Sequence, residues 1–205
     1  MWLILNTLGA SPELGLYEKG AGLQMHYTLP APLRPSEGLF DLFRQLSHDR
    51  PEYIGEVRAV VAGIGPGSFT GIRVGLAAAA GLQLTHGWPV YGISTFEIMA
   101  AMAGNGGEMT GCIVSSGKGT YFYTPAFNQP ENAAEMDVET LRASWGEGIP
   151  PRLVTDDPQL STLFPALSIQ MYDLQDTGNL GRAAELFGIE MTGIPGPLYL
   201  SHPVR

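Results

Sequence analysis

The chain has 205 residues, of which 44% are hydrophobic and only 15% charged, and it contains 27 glycines and 16 prolines. This apolar content excludes wholesale disorder, and the length predicts one compact domain or two small ones with a sizeable core. The formal charge of −9 argues against direct binding to nucleic acid, because affinity for a phosphate backbone depends on basic side chains. The single cysteine, Cys112, excludes an internal disulfide and a cysteine-built zinc site.

Membrane insertion and metal binding are not predicted either. No apolar run approaches the roughly 20 residues that a membrane-spanning helix needs, and the residues from Met1 to Asn6 lack the basic region of a signal peptide. We therefore expect a cytoplasmic protein with no membrane contact. The four histidines are scattered without a pair at helical spacing, so no metal site is expected and a metallopeptidase is rejected.

The first half of the chain combines a strand meander with alternating helices and strands. Short apolar runs separated by turn-forming residues predict three antiparallel strands. Apolar residues at spacings of three and four then predict an amphipathic helix, and Ser94 with Glu97 forms a capping box that opens a later helix. The predicted elements are strands at 3–5, 14–17 and 23–29, a helix at 37–48, a strand at 57–64, a helix at 72–86, a strand at 90–93 and a helix ending at 102.

The second half carries weaker signals. Residues 103–108 are the best candidate for a linker, so we expect an N-terminal α/β lobe at 1–103 and a smaller C-terminal α/β lobe at 104–205. No sequence period of 20–50 residues indicates a repeat protein. The predicted elements are strands at 111–115, 120–127, 152–155 and 168–172, a helix at 179–187 and an extended segment at 197–200.

The most informative segment is the glycine-rich loop between the strand at 57–64 and the next helix. Gly65, Gly67 and Gly71 allow a sharp turn, and the following helix directs its free amides toward the loop, which suits an anion such as phosphate or carboxylate. The spacing matches neither a Walker A loop nor a dinucleotide-binding fingerprint. A tight strand-to-helix turn with Ser68 or Thr70 as N-cap explains the same residues, so both interpretations stay open.

Arg73 and a series of small residues add two further hypotheses. A cation in the first turn of a helix opposes the helix dipole, so Arg73 should have a carboxylate partner or a bound anion. Small residues at four-residue spacing allow close helix packing, either on the chain's own sheet or against a partner. The candidate partner interface consists of Leu39, Phe40, Phe43, Gly71, Gly75, Ala78, Ala79 and Leu82.

The segment from Ala62 to Gly75, which reads AGIGPGSFTGIRVG, resembles the signature of the TsaB (YeaZ) family. The resemblance covers the first 100 residues continuously and the remainder in patches. It implies a two-lobed actin-like (ribonuclease H-like) α/β fold with a mixed sheet flanked by helices in each lobe and a reduced second lobe. It also implies a non-catalytic subunit that acts in making threonylcarbamoyladenosine on tRNA.

The partners follow from the same resemblance. Family members form homodimers and bind the catalytic subunit TsaD through helices of the first lobe, and the ATPase TsaE acts on the complex. The matching helices here are 37–48 and 72–86. The acidic charge fits this arrangement, because tRNA would then be held by the partner and contacted by this chain only indirectly.

Two departures from the family pattern bear on nucleotide chemistry. Asn6 stands where the family has an Asp that helps catalytic relatives to position metal and phosphates, and a neutral amide lacks the charge that favours a hard cation. Residues 114–118 lack the charged Asp-Ala-Arg segment of many members. We therefore expect no tightly bound cofactor, with ATP or ADP only at a complex interface. The alternative function is a nucleotide-dependent ATPase or phosphotransferase that uses the loop from Gly65 to Gly71.

Overall fold

The computed structural model describes residues 1–28, 35–103, 110–116, 119–127, 132–145, 152–165, 167–173, 176–188 and 195–198. The first half forms the predicted series of elements. Its strands are β1 (Trp2–Asn6), β2 (Glu13–Glu18), β3 (Gly22–Thr28), β4 (Ala59–Gly65) and β5 (Val90–Ser94). Its helices are α1 (Pro35–Asp49), α2 (Pro51–Ile54), α3 (Phe69–His86) and α4 (Thr95–Ala103). The short α2 was not predicted.

The second half contains more elements than the sequence indicates. Its strands are β6 (Thr110–Ser115), β7 (Tyr121–Thr124), β8 (Ala134–Met136), β9 (Arg152–Thr155) and β10 (Ile169–Met171). Its helices are α5 (Val138–Ser144), α6 (Gln159–Leu163) and α7 (Thr177–Phe187). The sequence does not predict β8, α5 and α6, which are only three to seven residues long and carry little periodicity. Of the linker predicted at 103–108, Ala103 ends α4 and 104–108 lie outside the described residues.

The two halves repeat one topology. In the first sheet the strand order is β3-β2-β1-β4-β5, and in the second it is β8-β7-β6-β9-β10. β1 pairs antiparallel with β2 and parallel with β4, and β6 pairs in the same way with β7 and β9. Each half therefore forms a three-stranded meander followed by two crossover connections to parallel strands. The duplication is structural only, because no sequence repeat accompanies it.

Helices α4 and α7 belong to a core shared by the two sheets, and a second, smaller core packs the second sheet against α5 and α6. α4 packs on β6 and β9 as well as on its own sheet, and α7 packs on α4 and on β1, β2 and β3. The other face of the first sheet is covered by α1 and α3. The predicted division at residue 103 separates the strands of the two sheets, whereas α7 belongs by its packing to the first. Across the described residues, no helix is both long enough and apolar enough to span a bilayer.

Candidate functional site

The glycine-rich loop is held against the turn that follows β1. The backbone amide of Ser68 donates to the carbonyl oxygen of Leu8 at 3.1 Å. The amide of Leu8 in turn donates to Oδ1 of Asn6 at 3.3 Å, and Asn6 is only 1% exposed. The buried Asn6 side chain therefore shapes the turn on which the loop rests, which is a structural use for the residue that stands in the family's Asp position.

Two backbone features require glycine here. Gly65 has a φ of +100°, a backbone conformation that residues other than glycine rarely adopt. Gly71 lies so close to the backbone carbonyl oxygen of Thr7 that a Cβ atom has no room. One turn later, Gly75 lies against Oγ1 of the same threonine. Close approach of α3 to the end of β1 therefore explains both helix glycines. A larger residue at Gly75 would disturb this internal packing, so its effect would not report on binding to a partner.

The helix after the loop begins with a side-chain cap. Oγ of Ser68 accepts a hydrogen bond from the amide of Gly71 at 3.1 Å, which confirms Ser68 as the N-cap. Two amides of the loop, those of Ser68 and Gly71, are thus already paired within the chain, and the loop does not offer them to a phosphate. Thr70 is exposed at the start of the helix. Anion binding by the loop residues Gly65, Gly67, Ser68, Thr70, Gly71 and Arg73 stays a prediction.

Arg73 has an aromatic partner, although the sequence predicted a carboxylate or a bound anion. Its guanidinium lies 4.0 Å from the centroid of the Phe69 ring, one helical turn earlier. A cation over the face of an aromatic ring is a favourable arrangement, and spacing of four residues places the two side chains on one side of the helix. The pair Phe69 and Arg73 could have been found from this spacing.

The predicted partner interface lies mostly inside the chain. Side chains that are buried in the protein's own core cannot contact a second protein, so the assignment of these residues to a partner surface needs correction. Gly71 and Gly75 are buried against Thr7, and the other buried members are Leu39 (2% exposed), Ala78 (2%), Ala79 (0%) and Leu82 (7%). Phe43 is half-buried, whereas Phe40 is 59% exposed.

An exposed apolar surface nevertheless lies on these two helices. We call it the α1–α3 face, the outward surface of these helices, and its large exposed apolar residues are Phe40 of α1 and Leu84 of α3. Leu84 is 85% exposed. The ring of His86 lies edge-on to Phe43, with centroids 6.1 Å apart, and stacks on Trp88 at 4.2 Å. Leu84 was not among the predicted interface residues, because a broad apolar stripe does not reveal which of its residues face outward.

A family model described as TsaD, tRNA N6-adenosine threonylcarbamoyltransferase, matches residues 37–141, which is about half of the chain. A protein from Escherichia coli (strain K12), the tRNA threonylcarbamoyladenosine biosynthesis protein TsaB, is 26% identical over 140 residues. That match covers 67% of this chain and 59% of TsaB, so it spans less than two thirds of the relative's length.

Two solved structures share the architecture. A protein with similarity to the peptidase YeaZ from Pseudomonas aeruginosa has a TM-score of 0.69 at 19% identity, covering 98% of this chain and 99% of that one. YeaZ from Pseudomonas aeruginosa has a TM-score of 0.63 at 18% identity, covering 97% and 99%. The two-lobed actin-like fold with a mixed sheet in each lobe, predicted from the sequence, is confirmed. In the described part of the chain, no three His, Cys, Asp or Glu side chains are grouped to hold a metal ion.

Proposed function

This chain belongs to the TsaD family as a relative of TsaB (YeaZ), and on that premise we propose that it is an accessory subunit in the threonylcarbamoyladenosine modification of tRNA. It binds a TsaD-like catalytic subunit in the cytoplasm and carries no chemistry of its own. In the absence of that subunit it forms a homodimer, and a TsaE-like ATPase acts on the assembled complex. ATP or ADP would be bound only where two subunits meet.

The α1–α3 face is the observation that carries this proposal. Its two most exposed members, Phe40 and Leu84, belong to helices that pack side by side on the first sheet. Large apolar side chains exposed in this way favour an interaction site, because covering them removes apolar atoms from water at about 25 cal/mol per Å². The rings of Phe43, His86 and Trp88 contact one another where α1 meets the end of α3.

Helix α3 also leaves room for close approach by a partner. The inward side of the helix holds Gly71, Gly75 and Ala79, whereas Ala77 is exposed and Gly81 has open space where a side chain would be. Leu84 follows on the same exposed side, one turn beyond Gly81. Small outward residues next to a large apolar one allow a second helix to lie near the α3 backbone and still bury Leu84.

The charge of the chain supports an indirect contact with tRNA. With 20 acidic and 11 basic residues, the surface repels phosphate groups over distances of about 10 Å at 0.1 M salt. A subunit of this charge does not attract RNA and depends on a partner to hold it. The loop geometry agrees with an accessory role, since the described contacts of Ser68 and Gly71 lie within the chain and favour no phosphate transfer.

The test is co-purification with a TsaD homologue. We expect the chain to form a complex with it, and the double variant Phe40→Asp, Leu84→Asp to weaken that complex at least tenfold. The matched control is Leu186→Asp in α7, because Leu186 is 58% exposed on a different surface. Circular dichroism confirms that each variant is folded. Lack of a complex with the unmodified chain, or an equal loss in the control, contradicts the proposed interface.

A second experiment tests the role in tRNA modification. In a strain depleted of its own TsaB, expression of the chain should restore threonylcarbamoyladenosine in total tRNA, measured by mass spectrometry of nucleosides. The double variant should restore less, and Leu186→Asp should restore as much as the unmodified chain. If the nucleoside stays absent although the chain binds a TsaD homologue, the proposed partner is supported and the proposed role in tRNA modification is contradicted.

A further inference from the structure

The segment at residues 195–198 lies across the first sheet beside the glycine-rich loop. It follows α7 in the chain and belongs to no helix or strand. Gly92 of β5 makes room for it, because a Cβ atom at Gly92 would lie 2.7 Å from Cβ of Pro195. At its other end, the carbonyl oxygen of Leu198 lies 3.4 Å from the position of a Cβ atom at Gly65. The segment therefore runs from the edge strand to the residue at which β4 passes into the loop.

β4 is irregular at the point where the segment attaches. In the register with β5, Ile64 has no partner between Gly63 and Gly65, and the register with β1 ends before it. The carbonyl oxygen of Ile64 accepts instead from the backbone amide of Leu198 at 2.9 Å. The segment thus supplies the hydrogen bond that the two neighbouring strands do not provide at this position.

The sequence of the segment suits this attachment. Pro195 and Pro197 have a fixed φ and no amide hydrogen, so the segment is stiff and loses little conformational freedom when it docks. Gly196 is exposed, and a Cβ atom there would meet no atom within 4 Å. Leu198 supplies both the amide that bonds to β4 and a half-buried side chain that packs against the core shared by the two sheets. The attachment is therefore specific but small.

The glycine-rich loop depends on the same end of β4. Beyond Gly65, the amide of Ser68 donates to the carbonyl oxygen of Leu8 at 3.1 Å. Oγ of Ser68 then accepts from the amide of Gly71 and caps α3. The loop is thus supported on one side by the turn after β1 and at its base by the segment 195–198. Release of the segment removes one of these two supports.

We propose that residues 195–198 form a detachable strap, which holds the glycine-rich loop and the first turn of α3 when it is docked and frees both when it is released. The first sheet does not need the strap, because β1 is paired along its length with β2 and β4. A region held by few contacts opens at a lower free energy than the whole protein unfolds. A peptide or ligand that takes the strap's place at Ile64 therefore shifts the loop toward the released state.

The test is hydrogen exchange of individual backbone amides in the full chain, measured by NMR at several low urea concentrations. We expect the amides of Ser68, Gly71 and Leu198 to share one opening reaction that depends weakly on urea, because strap release exposes little surface. The amides of β1 and β2 should instead exchange through global unfolding, which depends steeply on urea. The same steep dependence for both groups overturns the strap.

Substitutions in the strap provide a second measurement. Leu198→Pro removes the amide donor and should increase the exchange rates of the Ser68 and Gly71 amides at least tenfold. Leu198→Ala keeps the donor and should have a smaller effect. The matched control is Gly196→Ala, which adds a methyl group in open space and should leave both rates unchanged.

Three outcomes contradict the strap. The first is unchanged exchange of the loop amides in Leu198→Pro, and the second is an equal increase in the Gly196→Ala control. The third is a Leu198→Pro variant that does not fold, as judged by circular dichroism, because the first sheet would then depend on the strap.

Discussion

Gly71 of α3 lies against the backbone carbonyl oxygen of Thr7, at the point where the first helix after the glycine-rich loop crosses the end of β1. A backbone carbonyl cannot move aside as a flexible side chain can. Gly71→Ala should therefore destabilise the protein by more than about 2 kcal/mol, in the range of overpacked core substitutions, measured by urea denaturation.

The matched control for this substitution is Gly81→Ala in the same helix. A Cβ at Gly81 meets no atom within 4 Å, and alanine is favoured over glycine inside a helix by about 0.8–1.0 kcal/mol. We expect Gly81→Ala to stabilise the protein by roughly this amount. Equal effects of the two substitutions would show that helix propensity, and not contact with Thr7, decides the cost at Gly71.

The bond between Glu13 and Thr177 should anchor α7 to the first sheet. Both residues are buried, and the 2.5 Å bond joins the start of β2 to the first residue of α7. Thr177→Val removes the hydroxyl from a charged acceptor and should cost about 1.5–3 kcal/mol. Thr177→Ser keeps the hydroxyl and should cost less. A larger loss in the serine variant than in the valine variant would instead assign the effect to the methyl group of Thr177, which valine keeps.

Asp156 should make stability depend on pH. Burial raises its pKa to about 6, against the lowering effect of the hydrogen bond from Ser115. A carboxyl whose pKa is higher in the folded than in the unfolded state contributes stability below the unfolded pKa of about 3.9, and this contribution is lost as pH rises through about 6. A shift of this size corresponds to a loss on the order of 2 kcal/mol between pH 4 and 7.

Asp156→Asn isolates this contribution. Asparagine keeps an oxygen that can accept from the Ser115 amide and has no charge to bury. The variant should therefore match the unmodified chain near pH 4 and be more stable by on the order of 2 kcal/mol at pH 7. The measurement is denaturant unfolding at several pH values. A difference between the two proteins that is constant from pH 4 to 7 would contradict ionisation of Asp156 as its cause.

The capping box that opens α4 offers a local prediction. The amide of Ser94 donates to Oε2 of Glu97 at 2.7 Å, and the amide of Glu97 donates to Oγ of Ser94 at 3.2 Å. Ser94→Ala should cost about 1 kcal/mol, as the loss of an N-cap usually does, whereas Ser94→Thr keeps the acceptor and should cost less. Ser161→Ala on an exposed position of α6 is the control and should change stability little. A similar loss in both alanine variants would contradict the capping role.

The sequence determined the first half of the fold because its signals are local. Strand alternation, the spacing of apolar residues in α1 and the capping box of Ser94 and Glu97 each depend on neighbours within a few residues, and each element formed near its predicted position. The string from Ala62 to Gly75 likewise identified the family, since a long contiguous motif needs no tertiary information.

The shorter elements of the second half were not determined in this way. Segments such as β8 and α6, with three and five residues, form because neighbouring strands and helices hold them, and their own sequence carries too few residues for a periodic signal. The duplication of the strand order is hidden for the same reason, because pairing partners are decided by contacts between distant segments.

Only the tertiary structure decided which residues face outward and which polar groups meet. The sequence showed that α3 is rich in small residues, but Gly71 and Gly75 turned inward to Thr7 and Ala77 turned outward, because the neighbouring sheet fixes the rotation of the helix. Glu13 and Thr177 are 164 positions apart, and the packing of α7 on the first sheet brings them into a buried hydrogen bond. The sequence sets how many polar and apolar side chains the protein has, and tertiary packing alone sets which of them become neighbours.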